Sequence, residues 1–112
     1  MENKEDIQYV YSLVSDRIKY FRMKRNLTQE ELAEKTFYSR GFIGNIESKR
    51  TTQTFSLSTI YSFARALDIP LELFVKEDIH SELVGLGFEE PVSVLDNYSK
   101  RFENNEKLDE NI

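Results

Sequence analysis

The stretch TQEELAEKTFYSRGFIGNIE, residues 28 to 47, constrains this chain more than any other, because it reads as two short helices joined by a tight turn. Thr28 with Glu31 three residues on forms a capping box, in which each side chain satisfies a backbone N–H at a helix start. Leu27 before the cap and Leu32 at the fourth helical position make the hydrophobic staple that accompanies such a box. Leu32, Ala33 and Thr36 then line the inward face. Ser39 is placed to cap the second helix, its hydroxyl accepting from a free N–H of the first turn.

On a wheel of about 100° per residue, Phe42, Ile43 and Ile46 share one arc of the second helix, and Arg40, Gly41, Gly44, Asn45 and Ser48 take the far side. Each interior glycine costs a helix about 1 kcal/mol relative to alanine. Close approach of a polar partner would offset that cost; the plain alternative is two tolerated surface glycines. Duplex DNA is the leading candidate for such a partner. Arginine can make two parallel bonds to guanine O6 and N7, and asparagine can do the same with adenine N6 and N7. Only Arg40 and Asn45 have side chains for that reading, so direct readout is modest and DNA shape or water supplements it.

The series RIKYFRMKRNLTQEELAEKT, SRGFIGNIESKR and SLSTIYSFARALDIPLELF resembles the DNA-binding domain of the Cro and phage-repressor (Xre-like) helix-turn-helix family. The match covers about 60 of the 112 residues and keeps the family's spacing across five helices. The resemblance implies that the second motif helix enters the major groove, with Arg40, Gly41, Gly44 and Asn45 facing base edges. It assigns a DNA phosphate to Gln29, and further backbone contacts to Ser39, Ser48, Lys49 and Arg50. Arg22 and Glu47 match a pair that forms a structural salt bridge between the first helix and the recognition helix.

One position departs from the family pattern. The turn residue that is usually glycine is Phe37, followed by Tyr38 where a small aliphatic is common. If the turn keeps its shape, Phe37 must take positive φ at a cost of about 1–2 kcal/mol. Either Tyr38 fills the core more fully and offsets this, or the angle between the helices differs.

A formal net charge of −5 argues at first against nucleic acid. Its distribution argues otherwise. From Ser15 to Phe55 there are nine Lys and Arg against five Asp and Glu, a balance of +4; from Lys76 onward there are four bases against ten acids, a balance of −6. Local potential governs contact with phosphate. Lys19, Lys24 and Arg25 fit equally well as a solvated helix face.

No segment alternates with period two over a useful length, so the fold class is all-α: a five-helix repressor-like DNA-binding domain with helical N- and C-terminal extensions. Ser56 caps a further helix in which Leu57, Ile60, Phe63, Ala64 and Leu67 recur at helical spacing. Pro70 suits the first turn of a short helix with Leu71, Leu73 and Phe74. Residues 15–75 form the domain. Residues 1–14 are an N-terminal helical extension, since Ile7, Val10, Tyr11, Val14, Ile18 and Phe21 keep a helical rhythm: either the first helix begins near Glu5 or a short extra helix precedes Ser15. Residues 76–112 are an acidic extension, with a short helix around Ile79, Leu83, Val84 and Leu86 and an amphipathic one over Val92, Leu95, Tyr98 and Phe102. These stripes either enlarge one core or supply a dimer interface.

The chain has no cysteine, which excludes disulfides and thiolate metal sites. Its one histidine, His80, sits in an acidic stretch and reads as a surface residue. There is no phosphate-binding glycine loop, no metal-binding repeat and no apolar run near the ~20 residues of a membrane span, and the first residues are too polar for a signal peptide to be expected. No cofactor, metal, enzymatic activity or small-molecule effector is expected. The chain is expected to be a cytoplasmic, homodimeric regulator, a repressor by preference, that binds an inverted-repeat operator in double-stranded DNA. The alternative is a protein-binding module, an antitoxin or adaptor, that grips its partner through the acidic extension, with DNA binding secondary.

Overall fold

A computed structural model describes residues 4–49 and 54–88 of the chain. Its elements, in order, are α1 (Lys4–Lys24), α2 (Gln29–Thr36), α3 (Arg40–Ser48), α4 (Leu57–Leu67), a 3-10 helix (Leu71–Phe74) and α5 (His80–Leu86). The described residues contain no strand. The chain divides into two compact units, residues 1–76 and 77–112.

In the first unit the apolar stripes converge on one core. Leu13, Val14, Ile18 and Phe21 of α1 are buried together with Leu32 of α2, Ile43 and Ile46 of α3, Phe63 and Leu67 of α4, and Phe74. Phe21 meets Phe74 edge-on at 5.2 Å between ring centroids, an arrangement aromatic rings prefer over face-to-face stacking. Burying each large side chain contributes about 1.5–3 kcal/mol, so α1 acts as the spine against which α3, α4 and the 3-10 helix pack.

Helix α1 runs without a break through the Val14–Ser15 junction, so the N-terminal extension and the first helix of the domain are one element. Its early turns overhang the core. Ile7 and Val10 stay exposed, while Tyr11 packs edge-on against Phe55 at 5.1 Å. Leu57, expected on the core stripe of α4, is 68% exposed. It is the first helical residue, and because side chains lean toward the helix N-terminus it projects past the last turn it could cover.

Arginines close two helix ends. Arg17, fully buried, donates through Nη1 to the carbonyls of Leu73 and Lys76, both at 2.7 Å. Arg25 donates to the carbonyls of Leu67 and Asp68 at 2.8 Å, satisfying acceptors that the end of α4 leaves open.

In the second unit, α5 buries Leu83 and ends at Gly87, whose φ of 77° is the left-handed conformation that glycine adopts without steric cost. Val84, predicted to share the stripe with Leu83, is exposed, as is His80. The predicted helix over Val92, Leu95, Tyr98 and Phe102 lies outside the described residues.

Candidate nucleic-acid interface

The start of α2 is the capping box expected of it. Thr28 Oγ1 accepts from Glu31 N–H at 3.0 Å, and the Glu31 carboxylate accepts from Thr28 N–H at 2.9 Å. Those bonds from Thr28, helped by Lys35, hold the Glu31 carboxyl below the usual carboxylate range. Ser39 caps α3 by accepting from Phe42 N–H at 3.0 Å.

Between the helices, Phe37 has φ 64° and ψ 11°, and its side chain is 96% exposed. The turn therefore keeps its left-handed residue although that residue is not glycine. Tyr38 supplies the compensation. Its ring stacks on Phe42 at 4.9 Å and lies 5.6 Å from Phe63, and its hydroxyl bonds to Thr59 at 3.2 Å. One aromatic residue thus ties the turn to α3 and α4.

Helix α3 buries Ile43, Ile46 and Glu47 and turns Arg40, Gly41, Asn45 and Ser48 outward, with Gly44 half-buried on the same side. An ion-pair network holds that face in place. The Arg22 guanidinium donates from Nε to Glu47 Oε2 at 2.7 Å and from Nη2 to Glu47 Oε1 at 2.9 Å, and its Nη1 donates to the Leu27 carbonyl at 2.7 Å. The Glu47 side chain is only 2% exposed, so this is a two-pronged bond in a dry setting, where charge-assisted pairs are strongest. It joins α1, the loop before α2, and α3.

Gln29, the first residue of α2, completes the network by donating from Nε2 to Glu47 Oε1 at 3.1 Å. Its Oε1 lies over Gly44, 3.6 Å from where a β-carbon there would stand. A β-carbon on Gly41 would meet only Ser39 Oγ, at 3.9 Å. Neither glycine is therefore demanded by the monomer's own packing, and both leave the helix backbone accessible from outside.

The residues expected to hold phosphates differ in readiness. Ser39 uses an oxygen lone pair for its cap and keeps its O–H to donate. Ser48 donates its O–H to the Asn45 carbonyl at 3.2 Å and must rotate to reach a phosphate. Lys49 ends α3 at φ 54° and pairs with Asp16 at 2.8 Å. Arg50 lies outside the described residues. Of the nine bases in this stretch, Arg17, Arg22 and Arg25 are committed to partners inside the domain, which leaves fewer side chains to reach a phosphate than the +4 balance suggests. Sequence reasoning missed Arg17 and Arg25 as structural groups. A signal was present for Arg17, which stands three residues after Val14 and four before Phe21, on the apolar stripe itself.

No described helix is long and apolar enough to cross a membrane. Residues 18–74, half of the chain, match a family model described as helix-turn-helix. The chain is 43% identical over 65 residues to an immunity repressor protein of Bacillus phage phi105, an alignment covering 58% of this chain and 44% of that protein. It therefore spans less than half the length of that relative. Its fold is similar to the crystal structure of the hypothetical transcription factor NHTF from Neisseria, with a TM-score of 0.56 and 25% identity over 69% of this chain and 84% of the other.

Proposed function

Because the chain belongs to the Cro and phage-repressor (Xre-like) helix-turn-helix family, we propose that it is a sequence-specific DNA-binding transcriptional regulator acting in the cytoplasm. It lays α3 in the major groove and binds an inverted-repeat operator as a homodimer. The observation that carries this reading is the outward face of α3, where Arg40 and Asn45 flank two glycines that the monomer's packing does not require. The Arg22–Glu47 bridge keeps that face from rotating inward.

Arg40 and Asn45 read bases, and Gly41 and Gly44 let the helix backbone sit close to them. Ser39, Ser48, Lys49 and Arg50 contact the phosphate backbone. A domain with one recognition helix gains operator length by pairing with a second copy, which sets two such helices about 34 Å apart on successive major-groove turns. Similarity to a phage immunity repressor supports repression, by occupancy of promoter DNA, as the sign of the effect.

Selection of bound duplexes from a random pool at defined salt tests this reading. The expected product is two half-sites in inverted orientation, about 10–10.5 base pairs centre to centre or a multiple of that. A pool from which no motif is enriched overturns it.

A further inference from the structure

We propose that Asp16 of α1 restrains Lys49, so that the protein holds the DNA backbone less tightly than its cations alone would allow. The inference rests on the DNA-binding reading above and deepens it. It names a residue outside the motif helices that sets affinity and salt dependence without touching a base.

Lys49 directly follows α3 and is one of the cations expected to meet a phosphate. Its ammonium stands 2.8 Å from Asp16 Oδ1, with the lysine side chain 39% exposed and the aspartate side chain 25% exposed. Two other carboxylates of this stretch serve the domain itself. Glu47 neutralises Arg22 in a nearly dry setting, and Glu31 closes the capping box. Asp16 instead faces a cation of the proposed DNA side.

The two partners differ in freedom. Asp16 lies between Ser15 and Arg17, both buried, so its short side chain stays where α1 puts it. Lysine has a flexible four-carbon stem and three N–H donors. Lys49 therefore either leaves Asp16 for a phosphate or gives one N–H to each. In the first case an ion pair is broken on binding. In the second the carboxylate cancels much of the charge that the phosphate would feel. Both weaken the contact. A half-exposed pair of this kind is worth up to about fivefold in an equilibrium constant, small enough for DNA to overcome and large enough to measure. Phosphates carry no base information, so the restraint acts on every sequence alike.

The test uses the full chain as wild type, Asp16→Asn, Lys49→Gln and the double variant. Each is titrated against the selected operator and a scrambled duplex at about 50 and about 200 mM salt. Asparagine keeps the shape of aspartate without its charge, and thermal unfolding checks that every variant is folded. Asp16→Asn is expected to tighten both duplexes by the same several-fold factor at the lower salt. It should also steepen the log–log salt dependence by up to about 0.9, the value of one more neutralised phosphate, so that the gain shrinks about three- to fourfold at the higher salt. In the Lys49→Gln background the same substitution should change neither quantity, which separates release of Lys49 from the mere loss of a negative charge. Unchanged or weaker binding by Asp16→Asn overturns the proposal, as does an equal gain in the Lys49→Gln background or a gain confined to the operator. A wild-type chain that binds neither duplex overturns the DNA reading, and this proposal with it.

Discussion

Replacing Phe37 with glycine is expected to stabilise the protein, although it deletes a whole aromatic side chain. Phe37 sits at φ 64°, where the β-carbon of an L-residue crowds the following carbonyl at a cost of about 1–2 kcal/mol that glycine avoids. The ring gives little back, because it is 96% exposed and its removal uncovers almost no apolar surface. Against the gain stands the greater freedom of glycine in the unfolded chain, worth roughly 0.4–1 kcal/mol. The balance is a net stabilisation of about 0.5–1 kcal/mol, which at about 4–8 °C per kcal/mol for a domain of this size raises the melting temperature by several degrees. Phe37→Ala is the control, since it removes the ring and keeps the β-carbon. Thermal and urea unfolding followed by circular dichroism should place the alanine variant near wild type and the glycine variant above both. If glycine is no better than alanine, the strain argument is wrong. A fall in stability with alanine would instead show that the exposed ring makes contacts worth keeping.

Three further outcomes are expected. Arg40→Ala should lose about 1–3 kcal/mol of affinity for the selected operator and relax preference at one base pair, as read by titration against single-substitution duplexes; equal binding to cognate and scrambled DNA relative to wild type would remove Arg40 from the reading face. Glu47→Ala leaves the Arg22 guanidinium, 12% exposed, without its carboxylate, and should cost about 3 kcal/mol, the lower end for a broken buried pair; a urea-measured loss below about 1 kcal/mol would mean the bridge behaves as a surface pair. The Glu31 carboxyl is held below its ordinary range by its bonds to Thr28, so its contribution is present above the ordinary glutamate value and lost as pH falls through the lowered one. The stability difference between wild type and Glu31→Gln should therefore narrow on acidification below about pH 4.3, and a difference constant across that range would dismiss the carboxylate's charge as the cause.

Much of the motif was written in local sequence. The capping box at Thr28 and Glu31, the Ser39 and Ser56 caps and the stripe through Ile43 and Ile46 depend on contacts within one or two helical turns. Spacing along the chain determines such contacts directly. The stripes were less reliable at helix ends. Leu57 fits the helical period but overhangs the core, because periodicity gives the face of a residue and not whether a partner lies opposite that turn.

What only the tertiary structure decided is where the polar side chains went. Arg17 and Arg22 of α1 and Arg25 just beyond its end share a charge, and each has a partner 25 to 59 residues away, at the end of another element or on α3. The same holds for Gln29. Its position at the start of α2 was readable from the chain, but its bond to Glu47 and its place over Gly44 required α2 and α3 to be packed together. The sequence by itself determined the helices and the outward side of α3, since both follow from short-range geometry. Packing decided which cations stay outside and which way an amide faces, because those follow from acceptors that come together only when distant segments share one core.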